Sequence, residues 1–132
     1  MDITLGPWTV DMSIDKTQGQ PIADAMGAEA FDAVKGTAGF TPQKVGLDGK
    51  PAASGFTISG KLTKLAKEPN GMHVQTTFTV MVDASFPNIG PVVGDAWAQG
   101  SNTPIDAVQA VTDSRIAKIL ALIKAGQIKK AR

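Results

Sequence analysis

Cysteine and tyrosine are missing from this chain, and histidine occurs once, at His73. Without cysteine there is no disulfide, no thiolate nucleophile and no cysteine-ligated metal site. A single histidine has no second imidazole with which to share a metal. Charge of one sign is lacking as well: 13 basic and 12 acidic side chains leave a net +1, too weak a field to imply nucleic acid or an acidic partner. Long apolar runs are also absent. Met1-Asp2 passes straight into strand-like sequence, so neither a signal segment nor a membrane span is expected in this form. An abrupt methionine start is equally what removal of a leader would leave, and a cysteine-free chain suits the cytosol or an oxidising periplasm alike.

The 132 residues fit one domain, expected over 1–126, with 127–132 as a basic tail in which Lys129, Lys130 and Arg132 follow Lys124. A chain of this length buries roughly two thirds of the surface its unfolded form exposes, enough for one core. The tail reads as a solvated end whose positive charge suits a helix C-terminus.

The strongest pattern runs from Gly55 to Asp83. Phe56, Ile58, Gly60 and Leu62 alternate with Thr57, Ser59, Lys61 and Thr63, the period of two of a half-buried strand. On the return, Met72, Val74, Thr76, Phe78, Val80 and Val82 alternate with His73, Gln75, Thr77, Thr79, Met81 and Asp83. Between them stands Glu68-Pro69-Asn70-Gly71, in which Asn-Gly is expected to supply the positive φ angles of a tight hairpin turn.

A first strand is expected where Trp8, Val10, Met12 and Ile14 alternate with Thr9, Asp11, Ser13 and Asp15, after a Gly6-Pro7 break, with Ile3 and Leu5 as an extension. Lys16 to Gln20 reads as a polar linker and Pro21 to Lys35 as an alanine-rich helix stopped by Gly36 and Gly39. A short strand around Gln43 to Leu47 and a looser hairpin returning through Val92 to Gln99 complete the sheet. Asn102 or Thr103 can cap a closing helix, with Pro104 in its first turn and Asp106 three residues after Thr103 in a capping-box arrangement. Its apolar stripe is Ile105, Val108, Thr112, Ile116, Ile119 and Ile123, and Gly126 ends it. The fold expected is α+β: a two-layer sandwich, a mostly antiparallel sheet of four to five strands with both helices on one face.

Sites of chemistry are few. His73 reads as a surface histidine beside the hairpin turn. Asp11, Ser13 and Asp15 share the alternation of a calcium loop, but Lys16 stands where its glycine belongs, so they read as a solvated strand face. Gly46 to Lys50 lacks the ending of a phosphate loop, and Ser54, Ser59 and Ser114 have no base partner. Lys61, Lys64 and Lys67 lack interleaved aromatics and read as protection of a strand against aggregation. No cofactor, metal or catalytic residue is expected. The binding candidates are Trp8 and Trp97, which either fill the core or line one groove at an end of the sheet, and Thr77, Thr79, Met81 and Phe86 on or just beyond the outward hairpin face.

Gly6-Pro7-Trp8 opening a strand, the alanine-rich helix, Gly55 to Gly60, the long return strand, Val93-Gly94 and the closing helix Asp106 to Ala125 together resemble small α/β domains of bacterial envelope proteins. Those are the amino-terminal domain of the Tol translocation protein, the curli secretion lipoprotein and penicillin-binding-protein activator lipoproteins. The likeness is one of pattern over most of the chain, without a lipid-attachment cysteine. It implies a non-enzymatic module, periplasmic or secreted, that binds protein partners or self-associates as a homo-oligomer, with only indirect membrane contact. A second reading is a small-ligand or lipid carrier with its pocket between sheet and helices.

Overall fold

The computed structural model describes residues 2–44, 56–82, 86–87 and 91–126. Within them the chain runs β1 (Asp2–Val10), α1 (Lys16–Lys35), β2 (Thr41–Lys44), β3 (Phe56–Glu68), β4 (Gly71–Val82), β5 (Phe86–Pro87), β6 (Val92–Ala98) and α2 (Pro104–Lys124). The fold is α+β, as expected. The strand order is β2-β1-β3-β4, with β5 and β6 both paired to β4. The sheet is mixed. Pairing is antiparallel from β3 onward, whereas β1 lies parallel to both β2 and β3; α1 is the crossover between β1 and β2.

Both helices lie side by side on one face, and the core sits beneath them. Phe78, Ile58, Leu62, Val74 and Val80 of the hairpin meet Met26 and Val34 of α1 and Ile116, Ile119 and Leu120 of α2, all without appreciable exposure. Each such aliphatic or aromatic side chain contributes roughly 1.5–3 kcal/mol by leaving water. Along α2 the expected stripe is buried except at its start, where Ile105 is exposed in the first turn. The capping box forms as read: the Asp106 amide donates to Thr103 Oγ1 and the Thr103 amide donates to Asp106 Oδ2.

Four local expectations are corrected. The first strand ends at Val10; Met12 is exposed, and residues 11–14 form a turn. There the Ser13 amide and hydroxyl both donate to Asp11 Oδ2, holding that carboxyl below its ordinary range, while Asp15 accepts from the Thr17 amide and caps α1. Local side-chain bonds to the backbone thus win over alternation. With that cap, α1 begins at Lys16 and includes the segment read as a linker, leaving Pro21 inside the helix. The hairpin register pairs Glu68 with Gly71, so the two-residue loop is Pro69-Asn70. Proline holds φ near −65° and cannot supply the first positive angle of a primed turn. Gly71 takes a positive φ, 124°, at the start of β4. The short strand is Thr41–Lys44, earlier than read; the remainder of that expected segment, Phe86's side chain and the basic tail lie outside the described residues.

Two register shifts decide which side chains share a face. In β1, Ile3 and Leu5 pair with Phe56 and Ile58, and after a shift across Gly6-Pro7, a cis bond, Trp8 and Val10 pair with Gly60 and Leu62. Odd residues before the shift and even residues after it therefore face the helices. In β3 the shift falls at Thr63: Leu62 pairs with Thr76 but Lys64 with Gln75. This bulge brings Lys64, Ala66 and Glu68 to the face away from the helices, and Thr63 Oγ1 donates to the Gln75 carbonyl across it.

Candidate functional site

The sheet offers two places with chemical content, one on each face. On the helix side, Trp8 lies between α1 and β3 at two glycines. A Cβ at Gly27 would come within 2.5 Å of the indole and one at Gly60 within 2.6 Å, so the flat ring occupies space that only glycine leaves. Beside it opens a cavity of about 530 Å³, between Leu5 to Trp8 of β1, Phe31 and its neighbours on α1, and Lys44 of β2. Lys44 Nζ stands 5.7 Å from the Phe31 ring centroid. Trp8 thus fills part of the core and also lines a pocket.

On the open face, the β4–β6 register sets His73 against Trp97 and Gln75 against Asp95. The imidazole stacks on the indole, centroids 4.4 Å apart and planes 8° from parallel. Its Nε2 lies 2.7 Å from Asp95 Oδ1, which also accepts from Gln75 Nε2 at 3.0 Å. Those two bonds, His73 first, hold the Asp95 carboxyl below its ordinary range. On the ring's other side, Glu68 Oε2 is 3.3 Å from Nδ1, near enough for charge attraction but outside hydrogen-bond geometry, and Lys64 Nζ approaches Glu68 Oε1 at 3.4 Å. His73 thus lies on the outward face beside the turn, as read, but its ring is largely covered by its neighbours. Its side chain is only 13% exposed, beneath a lattice drawn from three strands.

Chemically this lattice is a clamp. The two carboxylates address opposite ring nitrogens, so they cannot meet the ring at one metal ion, and among the described residues no cluster of three or more His, Asp or Glu could hold one. Among the described residues neither ring nitrogen is hydrogen-bonded to a hydroxyl.

The predicted binding residues divide between the two faces. Trp8 and Trp97 do not share a groove: Trp8 is on the helix side and Trp97, 38% exposed, is on the other. Thr77, Thr79 and Met81 are half-buried on the open face, Thr77 opposite Val93 and Lys61, Thr79 opposite Ser59, and Met81 opposite Thr57 and Pro87. Phe86 is the first residue of β5, pairing with Val82. Asp95 and Glu68 were missed, and Lys64 was read only as protection of a strand against aggregation. The alternation of Val93, Asp95 and Trp97 was a usable signal for β6, whereas the parity change at Thr63 has no mark in composition.

No family model and no curated protein matches the chain. Solved structures do. The hypothetical protein CT253 from Chlamydia trachomatis superposes with a TM-score of 0.63 at 10% identity, over 94% of this chain and 98% of that one. Protein XCC0632 from Xanthomonas campestris, of the DUF330 family, gives 0.58 at 8% identity, over 96% and 86%. A point variant of PelC from Paraburkholderia phytofirmans, crystallised as a dodecamer, gives 0.56 at 9% identity, over 86% and 82%. The chain shares their fold. At such identities the likeness is one of architecture, and chemistry must come from the residues described above.

Proposed function

We propose that this chain is a non-enzymatic binding or assembly module of a bacterial envelope protein, periplasmic or secreted, whose partner is another protein or a second copy of itself. The observation that carries the proposal is the uncovered β4–β6 face. Val93 is 46% and Trp97 38% exposed there, beside half-buried Thr77, Thr79 and Met81. Exposed apolar side chains on either side of the charged Asp95, with polar threonines alongside, have the mixed composition of non-obligate protein interfaces. The clamp around His73 fixes the Trp97 ring before any partner arrives, which lowers the ordering cost of association. That PelC, of like architecture, crystallised as a dodecamer supports the self-association arm of this reading. Envelope residence rests on the resemblance in sequence pattern, and among the described residues no helix is long and apolar enough to cross a membrane.

Mass in solution, by size-exclusion chromatography with light scattering over a tenfold concentration range and two salt levels, tests this reading. A defined multimer is expected. Thr77→Asp with Thr79→Asp places two charges on the face and is expected to weaken association at least about tenfold with an unchanged circular dichroism spectrum. Assembly that ignores both substitutions rejects this surface. A monomer throughout rejects self-association and directs the search to a different protein partner.

A second reading, a carrier of small ligands, is favoured by the cavity beside Trp8.

A further inference from the structure

The cavity beside Trp8 has the volume and lining of a small-molecule site. About 530 Å³ falls within the range of ligand pockets. Its walls are apolar and aromatic, from Leu5, Pro7, Trp8 and Phe31, and two carboxylates, Asp24 and Asp32, stand on its α1 side. They are eight residues apart on one helix, so about 12 Å of helix axis separates them. Among the described residues neither is paired with a cation. Asp24 accepts only from Gln20 Nε2, and Lys44 is directed at the Phe31 ring.

We propose that this cavity binds an organic cation with an aromatic body, a primary amine whose ammonium lies against Asp24 or Asp32 and whose ring packs on Pro7, Trp8 and Phe31. Aromatic walls favour a ring and also attract the cation over their faces. An anionic ligand would face two unneutralised carboxylates across a pocket with one lysine, and a neutral one would leave their charge unused. The site is on the helix side of the sheet, away from the proposed association surface, so either proposal stands or falls without the other.

Phenethylamine is the probe, with phenylethanol and phenylacetate as its neutral and anionic counterparts of similar size. Calorimetry on the unmodified protein is expected to show saturable binding of the amine with a dissociation constant of roughly 1 mM, ordinary for about nine non-hydrogen atoms. Both counterparts are expected to bind at least about threefold more weakly. Asp24→Asn with Asp32→Asn, both exposed and tolerant of substitution, is expected to weaken the amine about fivefold and to leave the neutral alcohol unchanged. In a Trp97→Phe background, where Trp8 is the only tryptophan, amine binding is expected to change the fluorescence with the same midpoint. If that variant does not fold, perturbation of the Trp8 indole resonance in the unmodified protein takes its place. Absence of saturable amine binding, equal binding of all three compounds, or amine binding indifferent to the double substitution overturns the proposal.

Discussion

Two tryptophans, one on each face of the same sheet, are held by opposite means. Trp8 is held by absence: Gly27 and Gly60 have no side chains, and the indole takes their place between α1 and β3. Trp97 is held by presence, its ring lying on His73, which Asp95 and Glu68 address from either side. The first arrangement is shape and is anchored in the core. The second is charge and hydrogen bonding, with one side of the ring open to water. Packing of the first kind carries stability, because every displaced atom must find room in a dense interior. The second kind carries little, because its charges remain partly solvated.

The largest effect that would separate them is on stability. Trp8→Ala is expected to cost about 3 kcal/mol and Trp97→Ala about 1 kcal/mol or less, read from urea unfolding at constant m. Equal costs would erase the distinction. Next, Gly60→Ala is expected to cost about 2 kcal/mol by pressing the Trp8 ring. In the Trp8→Ala background most of that cost should vanish, so a double-mutant cycle returning no coupling would show that the slot is not what holds the ring. Asp95→Asn should change stability by less than about 1 kcal/mol, yet shift the Trp97 emission as the stacked imidazole loses its fixed orientation. An unchanged spectrum would mean that the stack needs no clamp.

The smallest effect is a pair of opposite pH slopes. Asp95's carboxyl is lowered in the folded chain, so its contribution is complete above the unfolded carboxylate range near pH 3.9 and is lost as pH falls through the folded value. Glu29's is raised, so its contribution is complete below the unfolded value near 4.3 and is lost as pH rises through the folded one. Between about pH 3 and pH 6, Asp95→Asn should therefore flatten the acid loss of stability. Glu29→Gln should raise stability slightly at the upper end, where the native residue is charged. Parallel titrations of the three proteins would reject this assignment of signs.

Much of the architecture was legible in residues. The hairpin alternation placed Phe78, Val74 and Ile58 in the core, and Asn102 or Thr103 before Pro104 marked the start of α2 to within a residue, the cap being Thr103. What stayed hidden is parity. Period-two reading assumes that each strand keeps one phase, yet β1 changes phase across Gly6-Pro7 and β3 at Thr63, and a bulge is fixed by tertiary pairing as much as by local sequence. The Lys64, Glu68 and His73 lattice exists only after the second change, so His73 looked solitary from sequence. The groove shared by Trp8 and Trp97 failed for a related reason: nearness to a strand end says nothing about face. The helix boundary at Lys16 was missed because Asp15 looked like one more polar strand residue, when its side chain was already a cap.

Arg115 of α2 reaches across to β6, where its Nε donates to the Val93 carbonyl at 3.0 Å. An incoming strand at that border finds an acceptor already taken and a fixed positive charge in its path. The border is thereby biased against the lengthwise stacking through which unguarded sheets pass into fibrils.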